Sequence, residues 1–468
     1  MQPVLSTKKN IILMVVAIVI VFGGIAGIKA PSTIVLITGG AAIIFLSLLW
    51  GIKWEDIERD ILRSIGHMMI PILILLAVGM MIGVWMLSGT IPFLVYYGLI
   101  LLKPSIFLFV ACLVCAIMTL MNGNSWATIG TVGVALMGVS MGLEIPLYYT
   151  AAAVVVGAIF GDKVSPLSDS TILASSITDV ELMDHVKHLL YTTVPGLVIS
   201  LILYLIIGFQ FNNETVDSEN ISAILNSLND NFNLNPLVML PPLAVLILIS
   251  RRAPALPVYG VGIFLGAVIG AFFQDRSIME VAEALSDGYS YDTGLDIVNQ
   301  IVQQGGLSSM LSTVAILIAA AIFGAPLQTS GLIDIMLNKI KQFAKTGRSM
   351  MASCLTLHTG FFTIIGSYYV TYAVFGPVLK NLYDDYGLHR KNLSRTFEDT
   401  GTALAPLVPW SVTGAFIANT LQVPNGEFIL YAPMIYLGIV FAVIYIMTGF
   451  GIAKSDQQIP RNTSKQIS

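Results

Sequence analysis

Apolar residues in this chain run in long stretches broken by short polar interruptions. A helix crosses a bilayer core with about 20 consecutive apolar residues. Stretches of that kind cover 11–30, 32–50, 68–88, 104–121, 146–160, 189–210, 235–250, 256–273, 308–324, 346–366 and 428–450. Five others, 89–102, 126–141, 331–343, 367–383 and 400–422, are shorter or interrupted and read as partial crossings or re-entrant pieces. The pattern predicts ten to twelve crossings plus broken pieces, the latter tolerated only where they are buried in protein or line a cavity.

Lys and Arg placement orients the spans. Lys8 and Lys9 precede the first stretch, and Lys53, Arg59 and Arg63 follow the second, so both places are expected to be cytoplasmic. The loop 212–235 holds Glu214, Asp217, Glu219 and Asp230 with no base and reads as external; Arg251 and Arg252 return inside. The acid-rich stretch 274–307 reads as external again, and the tail with Lys454, Arg461 and Lys465 as cytoplasmic. The first stretch is too long for a signal-peptide core and is expected to be retained.

The chain also matches itself at about half its length. Leu87-Ser88-Gly89-Thr90-Ile91 pairs with Thr329-Ser330-Gly331-Leu332-Ile333, and Thr119-Leu120-Met121-Asn122-Gly123 with Thr356-Leu357-His358-Thr359-Gly360. Asp162 then falls opposite Asp399, and Ser165-Pro166-Leu167 opposite Ala405-Pro406-Leu407. The amphipathic stretch before the third helix is basic-flanked in the first half and acidic in the second, so the two halves should start on opposite sides. The expected fold is therefore an all-α polytopic membrane protein of two inverted-topology repeats with broken helices and re-entrant hairpins. Its parts are a first repeat over 1–210, an external acidic linker over 211–234, a second repeat over 235–453 and a cytoplasmic tail over 454–468. Secondary transporters built this way bind substrate near mid-membrane, where broken helices meet.

Composition narrows the class. Only 11% of the 468 residues are charged, against 56% hydrophobic, which excludes a soluble enzyme or a disordered chain. A formal net charge of −4 offers no basic surface for nucleic acid. The cysteines Cys112, Cys115 and Cys354 all lie in apolar runs, where the first two read as small packing residues rather than a redox pair. Gly79-x-x-x-Gly83 and the Gly262, Gly266, Gly270 series read as stripes for close helix packing.

The remaining charges point to chemistry. A charged side chain at the bilayer centre costs about 2.5–3.5 kcal/mol on insertion scales, so it faces a partner or a wet cavity. The segment GDKVSPLSDST over 161–171 puts Asp162, Lys163 and Asp169 among Ser165, Ser168 and Thr171. A carboxylate there holds either a proton or a cation, and exclusion between the two couples opposing fluxes. Asp169 has no acidic mate in the repeat and ranks first as the exchangeable group, followed by Asp162 and Asp399. Asn122, Asn124 and Ser125 interrupt the first half, with Thr359-Gly360 and Ser367 as the matching region in the second, and such breaks turn oxygens inward. The expected Na⁺ site is Asp169 with Asn122 and Ser125. Glu181, His185 and His188 share a helical face but fit an amphipathic interfacial helix better than a metal site, and His358 lies within the expected second break. No nucleotide or metalloprotease motif is present.

GDKVSPLSDST followed by DVELMDHVKHLLYTTVP, with NGNSWATIGTVG and LSGTIPFLVYYG upstream, resembles the NhaC family of Na⁺/H⁺ antiporters over nearly the whole chain. The resemblance implies two inverted repeats with re-entrant hairpins, a homodimer, a bacterial cell membrane, and no cofactor beyond the transported Na⁺ and H⁺. It covers simple Na⁺/H⁺ exchange and a branch that exchanges proton-coupled malate for Na⁺-lactate. A channel or a lipid-acting enzyme is the distant alternative; the repeat speaks against the first, and the lack of a nucleophile–base pair against the second.

Overall fold

In the computed structural model, residues 5–211, 218–251, 253–332, 335 and 344–455 are described. The expectations for Glu214, Asp217, Arg252, Ile333, Arg461 and Lys465, and for most of the stretch 331–343, lie outside them. Helices dominate. The first half holds α1 (Thr7–Phe22), α2 (Ser32–Leu49), α3 (Trp54–Leu87), α4 (Thr90–Leu101), α5 (Pro104–Asn122), α6 (Ser125–Gly142), α7 (Leu147–Val164), α8 (Asp169–Ile177) and α9 (Leu182–Gln210). The second holds α10 (Ser218–Asn231), α11 (Leu240–Ser250), α12 (Ala255–Phe273), α13 (Ile278–Ser286), α14 (Asp296–Val302) and α15 (Leu311–Thr329). It continues with α16 (Gly347–Ile365), α17 (Tyr368–Asp385), α18 (Lys391–Thr400), α19 (Val412–Leu421) and α20 (Pro433–Thr448).

Among the described residues, ten helical segments are long and apolar enough to cross a membrane, or twelve if each of two bent pairs is one span. Large apolar side chains such as Val19, Phe45, Ile206 and Phe264 stay exposed on outer helices, where hydrocarbon is the natural solvent. Polar side chains are instead drawn inward: Asp162, Lys163, Glu398 and Asp399 are all at most 4% exposed. The chain is a multi-pass membrane protein. Two segments left open by the apolar pattern, Ser125–Gly142 and Lys391–Leu421, qualify as spans. The stretch 346–366 forms α16, but Arg348, His358 and its hydroxyl residues dilute its apolar character.

Breaks fall at glycines held at positive φ, where a Cβ is strained. Gly89 (78°) ends α3 and Gly331 (77°) follows α15; Gly123 (70°) ends α5 and Gly366 (74°) ends α16. The second-half break is thus at Gly366-Ser367. Of the expected Thr359-Gly360 and Ser367, only Ser367 lies there; Thr359 and Gly360 lie inside unbroken α16.

Glycines also set how the helices meet. Gly157 and Gly161 of α7 lie against main-chain atoms of Cys112, Ala116 and Leu120, so α5 and α7 touch backbone to backbone. Cys112 and Cys115 are buried free thiols at that seam. Gly262, Gly266 and Gly270 of α12 seat Trp85, Val84 and Leu87 of α3. Gly79 meets Met310 at the start of the spanning segment Leu307–Thr329, but most of what the Gly79 and Gly83 stripe meets is main chain. The two glycines receive the main chain of Ala284 and Gly306, and Gly306 N–H donates to the Gly79 carbonyl at 2.8 Å. Between the halves, α2 packs on α15 and α12 on α3.

Candidate cation-binding site

The break between α5 and α6 is built by its own side chains. Gly123 turns the chain and Asn124 continues extended, at φ −141° and ψ 106°. Asn124 Oδ1 then caps α6 by accepting from Ala127 N–H at 3.0 Å. Asn122 Oδ1 accepts from Asn124 N–H at 2.7 Å, and its amide donates to Thr128 Oγ1 at 3.1 Å. A Cβ on Gly123 would lie 2.5 Å from the Leu167 carbonyl carbon, so the break fits directly under the segment that carries the carboxylates.

Asp162 stands near the end of α7, 4% exposed. Its Oδ2 accepts from Ser125 Oγ at 2.5 Å and its Oδ1 from Ser168 Oγ at 2.6 Å. Thr171 Oγ1 donates to the carbonyls of Asp162 and Lys163, at 3.1 and 3.2 Å, and so satisfies acceptors left open at the helix end. Asp169 occupies the first turn of α8. Its Oδ1 accepts from Ser170 N–H at 3.0 Å and its Oδ2 from the Tyr369 hydroxyl.

Both carboxylates line one cavity of about 140 Å³ together with Asn124, Ser125, Trp126, Tyr368 and Tyr369. Pro71 and its neighbours Ile70 and Ile74 on α3 form the apolar wall. The volume holds an ion and several waters. No Lys or Arg lines it among the described residues. The first turns of α6 and α8, represented by Ser125 and Asp169, both reach the cavity, so the positive ends of two helix dipoles temper the paired negative charge.

Lys163 turns the other way. Its ammonium donates to Asp399 Oδ1 on α18, which also accepts from Thr192 Oγ1 of α9 at 2.8 Å. Lys163 and Asp399 are 1% and 0% exposed, so this ion pair joins the two halves in the interior.

Of the residues expected from the sequence, Asp162, Asp169, Asn124 and Ser125 line the cavity and Ser168 supports it. Others are elsewhere. Asn122, expected as a Na⁺ ligand, is spent on closing the break. Ser165 Oγ donates to the Leu120 carbonyl at 2.9 Å and accepts from Leu167 N–H, so it pins the turn. Thr171 bonds main-chain carbonyls, and Asp399 is engaged by Lys163. Thr359 donates to Leu355 O within its own helix and contributes to no break.

Glu181 caps α9 by accepting from Met183 and Asp184 N–H, while His185 and His188 are buried in the protein rather than lying at an interface. No cluster of three metal-type ligands occurs among the described residues. His358 Nδ1 meets Thr400 Oγ1 at 2.7 Å, among the rings of Tyr372, Phe375 and Phe397. Tyr368 and Tyr369 were missing from the sequence reading. Their signal is Gly366-Ser367, a glycine and a short polar residue ahead of a helix, as in Gly123-Asn124.

The Na⁺/H⁺ antiporter family model matches residues 3–178 and 157–450. The Na⁺/H⁺ antiporter NhaC of Alkalihalophilus pseudofirmus is 38% identical over 404 residues, 86% of this chain and 87% of that one. The NhaC of Bacillus subtilis is 33% identical over 405 residues, covering 86% and 89%. A malate-2H⁺/Na⁺-lactate antiporter of Bacillus subtilis is 32% identical over 441 residues, 94% of each chain. With the family model matched over almost all of the chain and relatives above 30% identity covered to more than four fifths, the chain belongs to the Na⁺/H⁺ antiporter family.

Proposed function

We propose that the chain is a secondary antiporter that exchanges Na⁺ outward for H⁺ inward at the Asp162–Asp169 cavity. One observation carries this reading: a buried carboxylate, Asp162, and an exposed one, Asp169, share one cavity with only neutral donors, while Lys163, next in sequence to Asp162, is committed to Asp399. A pair of carboxylates without a fixed cation calls for a mobile one, either a proton or a hard metal ion that favours oxygen ligands. Occupancy by one excludes the other, and that exclusion couples the fluxes. The names of the NhaC relatives agree.

The reading includes an inverted repeat with both termini cytoplasmic. Its support is the paired positive-φ glycines (Gly89 with Gly331, Gly123 with Gly366), the extended residues Asn124 and Ser367 after the second pair, and the reciprocal packing of α2 on α15 and α12 on α3. Malate–lactate exchange, named for one relative, fits less well, because an organic dianion would meet two carboxylates and no cationic side chain.

The test is Na⁺-dependent collapse of ΔpH in everted vesicles, with and without malate and lactate. Collapse by Na⁺ alone is expected, and Asp169→Asn should abolish it while the protein still accumulates in the membrane. Dependence on both organic anions, or full activity of Asp169→Asn, would overturn the reading.

A further inference from the structure

Asp162 has a structural twin. The last helical hydrogen bond of α7 runs from Ser165 N–H to Gly161 O at 2.9 Å, and that of α18 from Gly401 N–H to Phe397 O at 2.7 Å. Counted from these caps, Glu398 occupies the place of Asp162 and Asp399 the place of Lys163. The twins are solvated oppositely. Each oxygen of Asp162 receives a serine hydroxyl, whereas both oxygens of Glu398 are buried without a hydrogen bond, in a side chain 0% exposed.

The groups around Glu398 offer it no proton. Tyr372 spends its hydroxyl proton on the Phe397 carbonyl at 2.7 Å, so the 3.0 Å contact between Tyr372 and Thr402 uses the Thr402 proton. Thr402, the hydroxyl that approaches Glu398, makes no hydrogen bond with either of its oxygens. The titratable neighbours are Lys163 and Asp162 from α7, Tyr372 from α17 and Asp399 on its own helix. Lys163 is held by Asp399, and Arg395, earlier on the same helix, donates to Gly451 O at 3.0 Å. An ionised carboxylate in such a place lacks the donors that make burial tolerable; the neutral acid fits it and has lone pairs to meet.

We infer that Glu398 is a second proton-carrying group of the exchanger, separate from the Na⁺ cavity and linked to it through Lys163. At rest the trio is neutral: Glu398 protonated, Lys163 charged, Asp399 ionised. When the halves rearrange, the Glu398 proton passes to water on one side. The Lys163 ammonium then shifts from Asp399 Oδ1 to lie between two carboxylates, leaving the trio singly negative until a proton from the other side restores it. Asp399 Oδ2, which has no partner, already leaves room for such a shift. Each turnover then moves one proton beyond the one displaced by Na⁺ in the cavity.

This inference rests on the antiporter reading, and the experiment separates the two. Purified protein in liposomes, with voltage clamped at zero by K⁺ and valinomycin, is given a fixed ΔpH, and the Na⁺ gradient sustained at balance is measured. With one proton fewer per Na⁺, Glu398→Gln should sustain a gradient about tenfold smaller per unit of ΔpH than the native protein. A gradient equal to the native one overturns the inference and leaves the antiporter standing. Failure of the native protein to couple Na⁺ to ΔpH sinks the antiporter reading itself. Should Glu398→Gln not accumulate, infrared spectra decide. In saturating Na⁺ the native protein should keep a protonated-carboxyl band that moves in Glu398→Asp, and absence of any such band overturns the inference.

Discussion

Asp162 and Lys163 are consecutive residues whose charged ends never meet: the carboxylate faces Ser125 and Ser168, and the ammonium faces Asp399 in the other half. Sequence adjacency suggests that Lys163 neutralises Asp162. The helix end separates them instead, because successive side chains on a helix point in different directions. One peptide unit thus joins a cavity open to a mobile cation with a closed ion pair.

Removing one partner of that pair leaves a buried charge alone. Lys163→Met should lower stability in detergent by about 3–5 kcal/mol, the typical penalty for orphaning a buried ion, and Asp399→Leu in the same chain should recover most of it. Thermal unfolding of the single and double variants measures this. A Lys163→Met protein as stable as the native one would show that the pair contributes no such constraint.

Tyr369 ties the second half to the cavity through its hydroxyl on Asp169 Oδ2. Tyr369→Phe keeps the ring and removes the donor that fixes the carboxylate. A hydrogen bond to a charged group is worth about 1.5–3 kcal/mol. The Na⁺ concentration for half-maximal exchange should therefore rise roughly tenfold or more while the maximal rate largely survives. An unchanged Na⁺ dependence would remove Tyr369 from the site.

At the rim, Asp179 follows α8 and accepts from Lys380 Nζ at 2.7 Å and Arg390 Nη1 at 2.6 Å, both from the second half. Lys380 first, then Arg390, hold its carboxyl below the ordinary aspartate range. Its contribution to stability is complete above the unfolded value, about 3.9, and is lost as pH falls through the lower folded value. Asp179→Asn keeps a side chain that tolerates the left-handed backbone here, at φ 54°. The gap in unfolding temperature between native and Asp179→Asn proteins should therefore be open at neutral pH, start to narrow below about pH 4, close as pH falls through the lower folded value, and narrow in high salt. A gap independent of pH would contradict the ion-pair account.

Length and hydropathy alone made the number of crossings legible, because the bilayer fixes how many apolar residues a span needs. The break at Asn122–Ser125 and the carboxylates of 161–171 were legible too, since polar residues inside an apolar run have few other reasons to be there. The second break was placed only in part. Ser367 lies at it, but Gly360, which matches Gly123 in local sequence, lies inside α16, and the positive-φ glycine that ends this helix is Gly366. Partners were harder still. Nothing near Lys163 in sequence identifies Asp399, and Tyr369 reaches Asp169 only once the halves have packed.

Gly438 of α20 roofs the interior ion pair: a Cβ there would lie 3.3 Å from Asp399 Oδ1 and 3.7 Å from Lys163 Nζ. The ceiling is therefore bare backbone, with no side chain able to swing aside. A swap of partners beneath it runs directly under the main chain of α20, whose far end carries Met447 at 72% exposure. A probe on that outer turn would act as a needle on a dial, translating a hidden proton event into a displacement readable from the surface.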